Sequence, residues 1–294
     1  MKRWIARIGA ALGVLLVLLV VYGVFVEPRL VLDEEHAEVR LPQLAQEDAG
    51  TEVAVVADWQ IGAFFDNDGM VAQAVETIVA AEPDVVLLGG DYVYSSDPGV
   101  EVQVDRVVEL ARPLAESGIP TFAVLGNHDH ATGMAEDLTN ALEGVGIPVL
   151  ENEVAPVPGS GGGDPASELH VVGIGALRPG LADVDAALAD VPDGAPRVVL
   201  MHNPSVFPQL PAGSAPLSVA GHTHCGQIAI PGLPRWSYIE LTEQEEVVTD
   251  GWAPDGYGAE GNRMFVTCGV GFSVVPARIN APPQVAFFEL QPGD

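Results

Sequence analysis

Two histidines one residue apart, His222 and His224, follow the short apolar run 217–220 and a glycine, Gly221. The glycine lets the chain leave a strand sharply. Residues two apart on an extended chain point to the same side, so both imidazoles can face one pocket. Neutral imidazole is a common ligand of divalent transition metals. An HxH pair also fits surface or hydrogen-bonded core histidines, so its meaning depends on its neighbours.

Four other apolar runs end in metal-ligating residue types. They are rich in Val and Leu, as strands buried on both faces require, and cover residues 53–58, 85–91, 122–129 and 198–202. Open α/β sheets bind ligands outside the carboxyl ends of their strands. Asp and Asn are common in any strand-end turn, but five such ends in one chain favour a shared site. Its side chains are Asp58, Asp91, Asn127, His202, His222 and His224.

The order of elements predicts an α/β fold built from parallel βαβ units. Apolar residues at helical spacing predict helices over 68–81, 100–117, 134–145 and 181–189. Further strands are predicted over 149–157, 169–175, 227–230, 264–268, 272–276 and 285–290, with edge strands at 30–32 and 37–41. The irregular stretch 231–261 either walls a substrate pocket or packs its aromatic residues locally; these are Trp236, Tyr238, Trp252 and Tyr257.

An apolar segment near the start of the chain, residues 8–26, contains 19 residues without a charge. At about 1.5 Å per helical residue it is long enough to cross a bilayer. Three basic residues precede it, and the positive flank of such a segment stays in the cytoplasm. A cleaved signal peptide is the alternative, but no small-x-small site follows the run. We therefore expect a single-pass membrane protein with a cytoplasmic tip over 1–7, an anchor over 8–26, a juxtamembrane segment over 27–50 and an extracytoplasmic domain over 51–294.

Acidic residues dominate the rest of the chain. Residues 27–294 contain nine Lys plus Arg and 41 Asp plus Glu, a net charge of −32. Such a field repels nucleic acid, which we exclude as a partner, and we expect a monomer. Because the acidic residues are dispersed, we attribute them to solubility. The cations that could meet a phosphate are Arg178, Arg235, Arg263 and Arg278.

The two cysteines, Cys225 and Cys268, suit an exported domain that does not depend on a disulfide framework. We expect Cys225 to be a small buried residue. A place beside a metal ion and a bridge to Cys268 are the alternatives.

The site residues form an ordered set of motifs: Asp58-x-Gln60, Gly90-Asp91-x-x-Tyr94, Gly126-Asn-His-Asp129, His202 and Gly221-His-x-His224. This set resembles the calcineurin-like metallophosphoesterases, and most closely their membrane-associated bacterial, YkuE-like branch. The resemblance covers roughly residues 51–290, and the runs 268–271 and 276–280 are similar to the same branch. It implies a four-layer α/β/β/α sandwich with two metal ions at the strand ends.

Carried onto this chain, the resemblance implies that Asp91 bridges the two metals. One metal would also take Asp58, Gln60 and His224, and the other would take Asn127, His202 and His222. Two cations a few Å apart bind phosphate oxygens, generate hydroxide near neutral pH and stabilise the in-line transition state. His128 would protonate the leaving group, and Asp129 would orient His128.

The implied activity is hydrolysis of a phosphomonoester or phosphodiester, on a phosphorylated small molecule or a lipid-linked phosphate. The alternative is a degenerate member of the family that binds metal or a phosphorylated ligand without turnover.

Position 60 departs from the resemblance, since it is Gln where most of the superfamily has His. A carboxamide oxygen is a neutral ligand and a poorer one for zinc than imidazole. Three readings stay open. Gln60 ligates through oxygen and favours a harder metal such as manganese, or the site holds one metal, or Tyr94 replaces the missing ligand. Gly90-Asp-x-x-Tyr94 resembles the purple acid phosphatase pattern, whose tyrosine binds ferric iron. We therefore expect two divalent or mixed-valence metal ions, with Mn, Fe and Zn as the candidates.

Overall fold

A computed structural model describes residues 2–163, 167–230, 233–237 and 248–293. Strands and helices are numbered along the chain. The first sheet has five strands in the order β1 (Asp33–Pro42), β13 (Gln284–Gly293), β2 (Glu52–Val56), β3 (Val85–Leu88) and β4 (Thr121–Ala123). Strands β2, β3 and β4 are parallel, whereas β13 runs antiparallel to β2. The carboxyl ends of the three parallel strands therefore lie at one edge.

The second sheet has six strands in the order β11 (Gly251–Trp252), β12 (Met264–Val266), β8 (Ser218–Ala220), β7 (Arg197–Met201), β6 (His170–Ile174) and β5 (Glu153–Pro156). Its four inner strands are parallel and its two edge strands are antiparallel to them. A separate two-stranded ribbon pairs β9 (Ala229–Ile230) with β10 (Leu233–Ser237).

Three apolar clusters separate four layers. The inner cluster joins the two sheets through residues such as Leu87, Phe288 and Val198. The outer face of the first sheet is covered by α3 (Asp68–Ala81), α4 (Val100–Ser117) and α6 (Ala135–Gly144). The outer face of the second sheet is covered by α7 (Val184–Ala189) and the 3-10 helix Pro204–Gln209. This is the predicted α/β/β/α sandwich.

The bounds of α3 and α4 agree with the predictions from helical spacing. The segment 27–50 adds the edge strand β1 to the first sheet, so the sandwich begins before residue 51. The strand predicted over 272–276 is wrong, because this run forms a loop. Its backbone bonds close within the loop, from Val275 N–H to Ser273 O and from Ala277 N–H to Val275 O.

The N-terminal helix extends from the domain. It comprises α1 (Lys2–Val21), a π-helical turn (Tyr22–Val26) and α2 (Glu27–Leu30). From Arg3 to Leu30 it is long and apolar enough to cross a membrane, and most of it is exposed. Only its end packs on the domain, where Gly23, Glu27 and Pro28 are buried.

Candidate metal centre

Five strand ends meet at one site, as the sequence predicts. Three belong to the first sheet, where Asp58, Asp91 and Asn127 follow β2, β3 and β4. Two belong to the second sheet, where His202 and His222 follow β7 and β8. The site therefore lies across the seam between two sheets instead of along one edge, and each sheet contributes a different ligand chemistry.

One group of side chains, here called the histidine half, consists of Asp91, Asn127, His202 and His222. Ligand atoms of Asp91, His202 and His222 all lie within 4.8 Å of one another. The Nε2 atom of His202 is 3.1 Å from Asn127 Oδ1, 3.2 Å from His222 Nδ1 and 3.4 Å from Asp91 Oδ2. Its Nδ1 is 2.8 Å from the carbonyl of Gly89, which fixes the ring and directs Nε2 at the cluster.

The other group, the glutamine half, consists of Asp58, Gln60, His224 and the shared Asp91. The Nε2 of Gln60 donates to Asp91 Oδ2 at 3.0 Å. Its Oε1 is buried and finds no hydrogen-bond partner among the described residues. Both oxygens of Asp58 accept the backbone N–H of His222 at 3.0 Å. Because buried polar atoms are normally paired, this amide oxygen is a candidate ligand for a metal ion.

Charges within the histidine half are tightly coupled. Burial would raise the pKa of Asp91, but His202 beside it holds that pKa well below its usual range. Burial would lower the pKa of His202, but the Asp91 carboxylate raises it to about 10. Burial and the charge of His202 lower the pKa of His222 to about 3. The positive charge of protonated His202 therefore balances the negative charge of the Asp91 carboxylate, as a bound cation would.

Burial has the largest effect in the glutamine half. It raises the pKa of Asp58 to about 7, although the neighbouring charge of His202 opposes the shift. It lowers the pKa of His224 well below its usual value, and the adjacent Arg278 guanidinium lowers it further. A cation would stabilise the ionised form of Asp58 and would favour neutral His224 as a ligand.

Five of the seven predicted ligands have left-handed backbone conformations, which are uncommon for residues other than glycine. Such conformations cluster at functional sites, where the surrounding structure holds them. The residues and their φ angles are Asp58 (57°), Gln60 (54°), Asp91 (56°), His222 (73°) and His224 (50°). Gly221 matters for a steric reason, since a Cβ at this position would lie 2.9 Å from Asp58 Oδ2.

His128 lies half-buried on α5 (Asn127–Ala131) beside the cluster. Its ring stacks on the ring of Tyr94, with centroids 5.0 Å apart and 28° between the planes. Its backbone N–H donates to Asp91 Oδ1 at 2.8 Å. Tyr94 is therefore packed against the imidazole of His128, and its ligation of a metal stays a prediction.

Asp129 is buried, and its carboxylate accepts backbone N–H groups. The donors are Gly126 at 2.8 Å, Asp91 at 2.9 Å and Val93 at 3.1 Å. Burial and the charge of Asp91 raise its pKa to about 7, against the effect of these bonds. Asp129 therefore braces the backbone around Asp91 instead of orienting the imidazole of His128 as predicted. Successive residues on a helix do not face each other, which explains the difference.

The cysteines correct a second prediction. Cys225 is not an unpaired buried residue, because it forms a disulfide with Cys268. The bond joins the turn after His224 to the segment that leads into Gly269. A Cβ on Gly269 would collide with Asp58, so this segment lies directly against the glutamine half. The disulfide is therefore a brace for that half, and the only signal in the sequence was an even number of cysteines.

Arg278 was expected among the cations that could meet a phosphate, but it is fully buried. Its guanidinium donates to carbonyls of the loops behind the glutamine half, and its Nη2 lies 3.4 Å from His224 Nδ1. Burial lowers its pKa to about 10, so it stays charged at neutral pH. Arg278 holds loop backbone in place and does not reach a substrate.

The other candidate cations occupy different places. Arg263 lies over the ring of Trp252, 4.3 Å from its centroid. Arg178 is exposed after β6, close enough to His222 to lower the pKa of that imidazole. Trp252 also packs on Phe265, and Tyr257 stacks on Phe207, so these two aromatics pack locally. The side chains of Arg235, Trp236 and Tyr238 lie outside the described part of the structure.

A family model described as calcineurin-like phosphoesterase matches residues 51–226, which contain every predicted metal ligand. The chain belongs to the calcineurin-like phosphoesterase family. It is therefore a metal-dependent hydrolase of phosphoric esters, and the ligand cluster lies where the sequence motifs of the family meet.

Two bacterial relatives have names that agree with this assignment. This phosphoesterase is 31% identical over 224 residues to the phosphodiesterase YaeI of Escherichia coli K12, covering 75% of each chain. It is 23% identical over 270 residues to the uncharacterized metallophosphoesterase YkuE of Bacillus subtilis 168, covering 92% of this chain and 89% of the relative. A solved structure of a dimetal phosphatase from Danio rerio aligns with a TM-score of 0.46 and 13% identity, covering 78% of this chain and 90% of the other.

Proposed function

We propose that this phosphoesterase hydrolyses phosphomonoesters or phosphodiesters with two metal ions that share Asp91. The observation that carries the proposal is the convergence of Asp91, His202 and His222, whose ligand atoms lie within 4.8 Å of one another. Asn127 completes this histidine half, and Asp58, Gln60 and His224 would hold the second ion. The degenerate, binding-only alternative finds no support in the geometry of the histidine half.

The donor set fits the proposed ions. Imidazole, carboxylate and carboxamide groups together suit Mn, Fe or Zn. The buried Oε1 of Gln60, which lacks a hydrogen-bond partner among the described residues, supports ligation through oxygen and favours a harder ion such as manganese. When bound, a metal pair supplies Lewis acidity and lowers the pKa of water towards neutrality.

The chain's own side chains would do the remaining work at the open side of the site. Asn127, His128 and His222 are half-buried, whereas the other ligands are buried. His128 would give a proton to the leaving-group oxygen, with its ring held against Tyr94. Arg178 is exposed, and its charge contributes to the lowered pKa of His222, so we expect its guanidinium to attract the phosphate oxygens.

We further propose that the domain lies outside the cytoplasmic membrane, held by the N-terminal helix as a single-pass anchor. The disulfide supports an oxidising compartment. The basic residues before the apolar helix support a cytoplasmic N-terminus. A phosphorylated small molecule and a lipid-linked phosphate are both compatible with this location.

The test is hydrolysis of an aryl phosphomonoester and an aryl phosphodiester by the full chain in detergent micelles. The full chain is used because Glu27 Oε1 accepts the N–H of Ala281, which links the helix end to the domain. The protein is assayed metal-free and then with manganese, iron or zinc. We expect turnover only after metal is added, and the preferred ion reports on Gln60.

Variants decide between the proposal and its alternative. His128→Ala should lower kcat by about 10²–10⁴-fold if the imidazole is a general acid. Asp91→Asn should abolish activity, and Asp185→Asn, an exposed carboxylate on α7, is the matched control. Tight metal binding without turnover on either substrate would favour the binding-only alternative.

A further inference from the structure

Four exposed apolar side chains belong to the end of the N-terminal helix or to the two loops that are hydrogen-bonded to it. Phe64 is 72% exposed, Val274 68%, Phe25 51% and Phe65 50%. Phe25 belongs to the helix and lies 6.1 Å from the ring of Phe65, which is 4.3 Å from the ring of Phe64. We call these four residues the apolar rim. The aromatic contacts make Phe64 and Phe65 continuous with the apolar surface of the helix.

The rim is fixed to the helix end by polar contacts. The guanidinium of Arg29 donates to the carbonyls of Val24 and Phe65, and it lies 5.4 Å from the ring centroid of Phe272. The carbonyl of Gly23 accepts the N–H of Arg278 at 2.8 Å. These bonds reach both loops that carry the rim, the one after Gln60 and the one after Gly271.

The end of the helix is also packed closely against the domain. A Cβ on Gly23 would lie 2.6 Å from the Cγ1 of Ile279, so the helix backbone touches the domain directly. The helix end is therefore packed on the domain at Gly23, Glu27 and Pro28. A domain held in this way would present the face around the helix end to any bilayer that the helix crosses.

The same two loops are connected to residues of the glutamine half. Phe64 and Phe65 follow the ligand Gln60 by four and five residues. In the second loop, the N–H of Gly271 donates to the carbonyl of Asp58 at 2.6 Å. The glutamine half and the apolar rim therefore share two loops, so insertion of the rim would bring this half of the metal centre towards the bilayer.

Charge limits what can cover the rim. Residues 27–294 carry a net charge of −32, so anionic lipid headgroups would repel the domain. Contact must instead come from burial of apolar surface, as aromatic side chains provide at a bilayer interface.

We propose that the apolar rim inserts into the interface of the bilayer crossed by the helix, and that the metal centre consequently acts on phosphates carried by lipids of that leaflet. This inference rests on the proposed phosphoesterase activity and anchor, and narrows their substrate to one class.

The first test measures lipid contact without activity. Phe64→Cys and Val274→Cys are labelled with an environment-sensitive fluorophore in the full chain, in phosphatidylcholine nanodiscs. Both native cysteines are paired, so the introduced thiol is the one that reacts. Ala186→Cys on α7, also exposed, is the matched control.

We expect blue-shifted emission and quenching by brominated lipid at positions 64 and 274 but not at 186. Added salt should leave the quenching unchanged, since apolar contact is not screened. Equal, weak quenching at all three positions would overturn the insertion, and would leave the phosphoesterase proposal standing because no turnover is measured.

The second test concerns the substrate. A fluorogenic phosphodiester with a long acyl chain, carried in phosphatidylcholine vesicles, is compared with its soluble methyl analogue. We expect the ratio of their kcat/KM values to fall about tenfold in Phe64→Ser/Phe65→Ser, because two apolar contacts with lipid are lost.

Phe64→Ser alone, at the most exposed rim position, replaces the double variant if that variant fails to fold. An unchanged ratio in a folded variant would overturn the assignment to lipid-borne phosphate. Activity on neither substrate in the wild type would contradict the phosphoesterase proposal instead.

Discussion

The two halves of the metal centre share Asp91 but are prepared for a metal to different degrees. In the histidine half, ligand atoms lie within 4.8 Å of one another, and the Gly89 carbonyl orients the central imidazole. In the glutamine half, the amide nitrogen of Gln60 faces Asp91, and Arg278 lies against His224. The first half is preorganised by its side chains, whereas the second depends on braced loops. We therefore expect the histidine half to bind metal more tightly.

The largest effect should come from removing the residue that both halves share. Asp91→Asn leaves the His202 proton without its buried partner and, in the proposed two-metal site, takes a charged ligand from both ions. We expect loss of both metals and a fall in kcat beyond about 10³-fold. His222→Ala should remove metal from the histidine half alone. Metal content by mass spectrometry checks this, and equal metal loss in the two variants would contradict a division into halves.

Removing the disulfide should weaken metal binding in the glutamine half and lower the stability of the fold. Cys225→Ser/Cys268→Ser releases a loop of 43 residues, and we expect the free energy of unfolding to fall by about 2–4 kcal/mol. Because the bond braces the segments beside His224 and Asp58, the weaker metal site should lose affinity while the tighter one keeps it. Denaturant unfolding and metal titration measure the two effects. Equal weakening of both sites would show that the brace serves the fold alone.

Replacing Gln60 with histidine should strengthen zinc binding in the glutamine half. Gln60→His supplies an imidazole in place of the amide, so we expect zinc to bind the weaker site about 10–100-fold more tightly. Competition between zinc and manganese, followed by calorimetry, provides the measurement. Gln60→Asn, which keeps a shorter amide, is the control and should not gain zinc affinity. No change in Gln60→His would indicate that position 60 does not ligate.

Metal binding should release protons, mainly from the histidine half. His202 has a pKa raised to about 10, so it is protonated at pH 7 and must lose its proton to bind metal. His222, with its pKa lowered to about 3, has none to release. Between pH 7 and 10, affinity should rise about tenfold per pH unit. Calorimetry in two buffers of different ionisation enthalpy counts the protons, and a count of zero would contradict this account.

Tyr94→Phe should have the smallest effect. Phenylalanine keeps an aromatic ring against His128, so we expect kcat to change by less than about threefold. The visible spectrum of the iron-loaded protein distinguishes stacking from ligation. A charge-transfer band that disappears in Tyr94→Phe would assign the phenolate to the metal.

The sequence predicts much of the sandwich because its apolar runs have clear periods and its ligands follow strand ends. Helices α3 and α4 agree with prediction, and so does the convergence of Asp58, Asp91 and His202. The loop at 272–276 resembles a strand in composition, but its hydrogen bonds close locally.

The missed features depend on residues far apart in the chain. No local pattern pairs Cys225 with Cys268, or places Gly23 against Ile279. The left-handed backbone of the non-glycine ligands is likewise imposed by tertiary contacts, so it cannot be predicted from residue type.

The Cys225–Cys268 bond also bears on when the protein matures. Disulfides are rare in a reducing cytoplasm, so under the proposed extracytoplasmic location a newly made chain would cross the membrane with its glutamine half unbraced. Oxidation after translocation would then complete the weaker metal site at the destination. Biosynthetic order alone would therefore keep this phosphoester hydrolase from reaching full activity in the compartment where it is synthesised.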